Sequence, residues 1–225
     1  MSETKRLYYY TGPDFALEIV ARRQLKLSFP NEVNDIFEMM PFDFGDNRDI
    51  RKAWRDTIDQ FSQDYGFISF SSEWNHPTMW GHYASNHVGV CLGFDVLGGV
   101  VPINYVDRFR NFDRWALGND AELKTLLDFS QKTKSKHWEY ENEWRGYVEL
   151  TGHQKELKAR GANLFFESFN EGLRLKEIII GARSHLTSSQ FQKALSGYDG
   201  VKICTARASF RDFKVVKQKS QILLK

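Results

Sequence analysis

The chain alternates between two periods. In Leu25-Lys26-Leu27-Ser28-Phe29 and in Phe67-Ile68-Ser69-Phe70-Ser71-Ser72 apolar and polar positions alternate, the pattern of a strand with one face in the core. Ile68 and Phe70 then share one face, and the hydroxyls of Ser69 and Ser71 share the other. Leu7-Tyr8-Tyr9-Tyr10-Thr11, Val88 to Phe94, Val101 to Val106, Lys176 to Gly181, Val201 to Arg207 and Phe213 to Lys217 read as further strands from their β-branched and aromatic content.

Elsewhere the apolar residues recur three and four apart, the helical spacing. Pro13 opens a helix with a Phe15, Ile19, Val20 stripe, and Arg22 and Arg23 suit its last turn. Ile50, Trp54, Ile58 and Phe61 mark a second helix over Asp49 to Phe61. A short helix is expected from Pro77 to Ala84. Another runs from Ala121 to Phe129 behind an Asn119 or Asp120 cap. Thr187-Ser188-Ser189-Gln190 is a capping box for a helix that stops near Gly197. Pro30 to Glu38 and Asp107 to Asp120 read as loops, His153 to Gly161 as a polar exposed segment, and Asn163 to Phe169 fits either period. The expected fold is α+β: a split, mostly antiparallel sheet core with peripheral helices, in a single domain over residues 1–225.

The most unusual stretch is Trp138-Glu139-Tyr140-Glu141-Asn142-Glu143-Trp144-Arg145-Gly146-Tyr147-Val148-Glu149-Leu150. As a strand from Glu141, it puts Glu141, Glu143, Arg145 and Tyr147 on one face and Trp144, Val148 and Leu150 on the other. Carboxylates two apart on a strand face lie roughly 6.5–7 Å from each other, within reach of one ligand.

Composition narrows the classes. With 41% hydrophobic residues among 225 and six tryptophans, the chain can bury a sizeable core. Its 31 basic and 29 acidic side chains leave a net charge of +2, without the basic field of a phosphate-backbone binder. Cys91 and Cys204 are the only cysteines and are expected to be reduced. The apolar run from Val88 to Val101 is broken by Asp95 and glycines, so the expectation is a cytoplasmic protein with no membrane partner.

His82 and His87 are spaced five apart and no cysteine pair is present, which removes the helical zinc motif. No nucleophile elbow or phosphate-cradling glycine loop occurs. Asn34, Asp35 and Glu38 with Glu141 and Glu143 supply enough oxygens for a Mg²⁺ nuclease, which is one alternative.

Two resemblances add to this. Leu7-Tyr8-Tyr9-Tyr10, Asn34-Asp35-Ile36-Phe37-Glu38, Met79-Trp80-Gly81-His82-Tyr83-Ala84 with Gly89, Trp138 to Arg145 and Lys176 to Gly181, in this order, resemble a bacterial family catalogued as a domain of unknown function. That family usually has Lys at Tyr9 and Pro at Ile36, and it implies a phage-defence or toxin-type effector, with an antitoxin or defence-system partner.

The order Tyr8 to Thr11, Ser69-Phe70-Ser71, Glu141-Asn142-Glu143 is similar to that of the ADP-ribosyltransferases, although Tyr9 stands where their Arg or His is expected. This resemblance implies an ADP-ribosyltransferase-like fold and an ADP-ribosyltransferase or NAD glycohydrolase activity, with NAD as substrate, a protein or nucleic-acid acceptor and no metal. Glu143 would stabilise the ribosyl cation and Glu141 would activate the acceptor. Ser69 and Ser71 would support the glutamate, and Tyr10 or Tyr83 would stack on nicotinamide. Tyr9, Thr11, Asn34, Asp35, Trp80 and His82 complete the implied NAD contacts. A non-catalytic module that senses a nucleotide or a phage product is the other alternative.

Overall fold

The computed structural model describes residues 3–159 and 164–219. In chain order these form β1 (Thr4–Thr11), α1 (Pro13–Arg22), β2 (Gln24–Lys26), β3 (Phe42–Asp43), α2 (Arg48–Asp64) and β4 (Tyr65–Ser71). Next come α3 (Pro77–Tyr83), β5 (Val90–Leu97), β6 (Val100–Pro102), β7 (Asn104–Val106), β8 (Arg110–Asn111), α4 (Asp120–Gln131) and β9 (Thr133–Ser135). The chain closes with β10 (Glu143–Glu149), α5 (Gly152–Ala159), β11 (Phe166–Ser168), β12 (Leu173–Ile180), α6 (Ser188–Ala194), β13 (Lys202–Ala208) and β14 (Val215–Lys217). The architecture is mixed α and β.

Eight strands build the main sheet in the order β14-β13-β12-β5-β1-β4-β10-β6. Every neighbouring pair is antiparallel except β12 and β13, which run parallel and are joined through α6. The period of two sorts side chains between its faces. Leu7, Leu92, Phe94, Ile178 and Ile180 enter one apolar cluster, which α1 and α6 cover with Ala16, Ile19, Val20 and Phe191. Tyr10, Cys91 and Ile179 point the other way, into a smaller cluster closed by Met79 and Trp80 of α3. Full burial of one such aliphatic or phenyl side chain stabilises by about 1.5–3 kcal/mol. A third cluster lies apart from these, where Trp54 and Ile58 of α2 and Leu126 of α4 enclose Met39 and Phe42.

The helices start where their caps are. Asn47 accepts from the Asp49 and Ile50 amides to open α2, and Asn119 accepts from Ala121 and Glu122 to open α4. Thr187 and Gln190 form the expected capping box of α6. The polar segment from His153 is helical within its described part, because Thr151 and Gln154 satisfy each other's amides in the same reciprocal way. Gly161 and Asn163, which bound two sequence readings, lie outside the described residues. Phe166–Ser168, in the stretch that fitted either period, is the strand β11.

Three boundaries differ from the sequence reading in ways that matter for the site. Leu25 to Phe29 keeps its alternation, with Leu25, Leu27 and Phe29 all buried, but only Gln24–Lys26 pairs with β11. Ser28 instead exchanges both backbone hydrogen bonds with Phe67 of β4. The stretch from Val101 breaks at Ile103: β6 stays on the main sheet while β7 pairs with β9. The acidic strand starts at Glu143, not Glu141. Lys136–Glu141 is a 3-10 turn capped by Ser135, and Asn142 leaves it with φ 44° in the left-handed region.

β1 and β4 share the registered pair Tyr8–Ser71. Beyond it, Ser28 bridges Phe67 on the edge of β4. Among the described residues no helix is long and apolar enough to cross a membrane.

Candidate functional site

A cleft of about 430 Å³ opens over β1, β4 and β10, which are consecutive in the main sheet. Tyr8 and Tyr10 of β1, Ser69 and Ser71 of β4 and Glu143 and Arg145 of β10 form its floor. The segment that carries Ser28, Asn34 and Glu38 walls one side, and His82 and Tyr83 of α3 wall another. Tyr9 and Phe70 border it through the gap between the strands. The floor follows from the alternation already legible in the sequence. The pairing Glu143–Ser71, Arg145–Ser69 puts the two hydroxyls beside the acidic face of β10.

Glu143 is 4% exposed and is held by four donors. Ser69 Oγ donates to its Oε1 at 2.6 Å and Arg145 Nε to the same oxygen at 2.7 Å. Lys134 Nζ and Arg145 Nη2 donate to Oε2 at 3.3 and 3.2 Å. Its amide donates to the Tyr105 hydroxyl at 2.8 Å. Burial alone would raise the Glu143 carboxyl. Arg145 and Lys134 outweigh it and hold the group at about 2.

Glu141 sits outside the strand but reaches the same cation. Lys134 Nζ donates to its Oε2 at 2.6 Å, and the Tyr83 hydroxyl donates to its Oε1. Ser71 Oγ donates to the Glu141 carbonyl at 2.6 Å, fixing the backbone of the turn. Here burial prevails: it raises the carboxyl, Lys134 lowers it, Glu143 raises it, and the net shift is upward. Tyr83 is pushed up by burial and then by Glu141, so it stays a hydroxyl donor. Lys134 is lowered by burial and raised more by Glu143 and Glu141, so it remains an ammonium.

Arg145 links this pair to the wall. Its Nη2 donates to Glu38 Oε2 at 2.7 Å and its Nη1 to Oε1, a bidentate pair with both partners almost fully buried. Asn34 Nδ2 donates to the Tyr83 hydroxyl at 3.1 Å. Three carboxylates therefore face two cations, all with buried side chains, leaving one net negative charge when Glu141 is ionised.

The structure brings Tyr10, Asn34, Ser69, Ser71, His82, Tyr83, Glu141 and Glu143 to this cleft. Tyr9 borders it, but its ring packs into the α1 and α6 cluster, edge-on to Phe70 at 6.4 Å. Three other residues read as contacts lie elsewhere. Thr11 is buried at the end of β1, where a Cβ on Gly89 would come within 2.1 Å of its carbonyl. Asp35 is buried with Oδ1 accepting from the Phe37 amide. Trp80 is fully buried, its indole nitrogen donating to the Trp74 carbonyl at 2.6 Å.

Sequence reasoning missed Lys134 and Tyr105. Lys134 lies seven residues before Glu141 in a three-residue strand, and no period or motif marks it. Of the oxygen-rich set for Mg²⁺, Asn34, Glu38, Glu141 and Glu143 share the cleft, but protein cations occupy the space between the carboxylates. Arg145 stands between Glu38 and Glu143, Lys134 stands between Glu141 and Glu143, and among the described residues no three His, Cys, Asp or Glu side chains form a group that could hold a metal ion. No protein-family model, curated protein or solved structure matches the chain. The resemblances drawn from the sequence rest on the residues that carry them.

Proposed function

We propose that the cleft binds NAD and breaks the bond between its nicotinamide and ribose, passing ADP-ribose to a macromolecular acceptor or to water. The observation that carries this reading is the unequal hold on two neighbouring carboxylates: Glu143 accepts from two cations, Arg145 and Lys134, and from Ser69, whereas Glu141 accepts from one cation, Lys134, and from Tyr83. Glu143 is held ionised far below the ordinary range, while Glu141 is pushed towards taking a proton. Paired groups whose environments drive their pKa values apart divide the roles of charge stabiliser and acid–base.

The electron pair of the breaking bond leaves on nicotinamide, and positive charge develops on the ribose. A preorganised carboxylate and a cleft with one net negative charge lower the energy of that state more than that of the neutral sugar. Glu141 then takes the proton of the acceptor hydroxyl or water as its oxygen bonds to the ribose carbon. Tyr83 and Lys134 orient Glu141 from two sides, and Ser69 orients Glu143. The meeting of the tyrosine strand, the Ser-x-Ser strand and the Glu-x-Glu segment in one cleft on a mostly antiparallel sheet supports an ADP-ribosyltransferase-like arrangement. The resemblance to the bacterial family supports a defence or toxin role.

One observation favours a second reading, a nucleotide-sensing module without turnover. All acceptor positions of Glu143 are taken by Ser69, Arg145 and Lys134, so a ligand would meet its charge but not its lone pairs.

Release of nicotinamide from NAD separates the two. Wild type and Glu143→Gln are compared with and without cell lysate as a source of acceptor, beside NAD binding by equilibrium dialysis. Release by wild type alone is the expected result, and dependence on lysate marks a transferase. Binding with no release under either condition selects the sensing module, and neither binding nor release by folded protein removes NAD from consideration.

A further inference from the structure

A second cavity, of about 530 Å³, lies behind the wall of the first. Lys134 lines both, and Phe37, which lines the second, is the neighbour of Glu38, which lines the first. Strand β9 and the Phe37-Glu38 peptide are thus a partition between two cavities.

The second cavity has the features of a site for a flat heterocycle. Phe37 and Phe109 stand at its rim, 50% and 54% exposed, with ring centroids 6.0 Å apart and planes tilted by 56°. Two large rings held half in water form an aromatic corner that a planar ligand would cover. Met40 supplies apolar surface beside them. Asp107 and Arg108, adjacent and exposed, also line the cavity and have no ion-pair partner among the described residues. A free carboxylate accepts from a ring N–H and an exocyclic amine together, and a guanidinium donates to a ring nitrogen and carbonyl together. Guanine presents both edges, whereas uracil has no exocyclic amine.

We infer that this cavity is a second ligand site for a guanine base, stacked on Phe109 with the tilted Phe37 ring closing the corner and read at its edge by Asp107 and Arg108. Because Lys134 and the Phe37-Glu38 peptide belong to both cavities, occupancy here alters the hold of Lys134 on Glu141 and of Glu38 on Arg145. This coupling rests on the glycosyl-transfer reading of the first cleft; the binding does not.

Calorimetric titration with guanosine 5′-monophosphate, uridine 5′-monophosphate and a guanine-containing single-stranded oligonucleotide tests the site. Saturable guanosine monophosphate binding is expected, with uridine monophosphate much weaker. Phe109→Ala should weaken it roughly ten- to a hundred-fold, the worth of one base–aromatic stack, and Asp107→Asn should narrow the preference over uridine. Tyr83→Phe, in the first cleft, should leave it unchanged. An oligonucleotide tighter than the mononucleotide makes the source a nucleic-acid strand; the reverse makes it a free nucleotide.

Absence of guanosine monophosphate binding, equal binding of the uridine form, or binding lost in Tyr83→Phe and kept in Phe109→Ala would overturn the inference. In the same preparations, guanosine monophosphate should change nicotinamide release by wild type and not by Phe109→Ala. If NAD is never cleaved while the calorimetric pattern holds, the reading of the first cleft fails and the second site stands.

Discussion

Ser69 Oγ donates a 2.6 Å hydrogen bond to Glu143 Oε1, joining two strands whose residues are 74 positions apart. A hydrogen bond to an ionised group is worth about 1.5–3 kcal/mol. Ser69→Ala should therefore lower unfolding stability by about that amount in urea titration. It should also lower kcat for nicotinamide release while leaving KM nearly unchanged, because the serine touches the carboxylate and not the substrate. An unchanged kcat would detach Ser69 from the chemistry.

Glu143→Gln keeps the shape of the side chain and removes its charge. Nicotinamide release should fall ~10²–10³-fold, the usual cost of losing a preorganised electrostatic partner. NAD affinity measured by dialysis should change far less than rate. Circular dichroism at the assay temperature checks that the variant is folded.

The pH dependence should follow Glu141. In the proposed role of base it must be ionised, so kcat/KM should rise with pH through a midpoint above the ordinary glutamate value of 4.5. Lys134 lowers that carboxyl against the pull of burial. Lys134→Met should move the acid limb to higher pH, and Glu141→Gln should abolish the limb along with most of the rate. A limb that stays in place in Lys134→Met would mean that another group titrates.

Acid stability should follow Glu143. Burial opposes its ionisation, yet Arg145 and Lys134 hold it at about 2, below the ordinary 4.5. Its contribution to folding is complete above 4.5 and is lost as pH falls towards 2. Wild type should lose stability over that window more steeply than Glu143→Gln, read as thermal midpoints at a series of pH values.

Arg145→Ala should destabilise by about 3–5 kcal/mol, since it strands buried Glu38 and Glu143 without their shared partner. Adding Glu38→Leu should restore part of the loss. Denaturant titration of the single and double variants measures the coupling, and strict additivity would show that the bidentate pair does not form in solution.

Much of the floor of the cleft was legible because it is local. In Phe67 to Ser72 and in Glu143 to Leu150 a strict period of two assigns each side chain to a face, and the structure keeps Ser69, Ser71, Glu143 and Arg145 together for that reason. The same period separates Tyr9 from Tyr8 and Tyr10, and reading Tyr9 and Tyr10 as joint contacts overlooked it. Helix starts at Asn119 and Thr187 were legible because a cap is a contact between residues two or three apart.

The rest was decided by partners distant in sequence. Ser28 takes the Phe67 edge of β4, and an isolated alternating stretch does not say which strand it will pair with. Glu141 falls in a 3-10 turn closed by Ser135, so its position beside Glu143 comes from a turn and not from the pleat. Glu38 meets Arg145 across 107 residues, and Lys134 joins two carboxylates from a strand without a distinguishing pattern. The sequence by itself determined which faces are apolar, where helices begin and which strand carries the acids, because these follow from backbone periodicity and neighbouring side chains. Only the tertiary structure decided the strand order, the charge balance and the opposed behaviour of Glu141 and Glu143. Those depend on burial and on Coulomb interactions that fall with distance in space, whatever the separation along the chain.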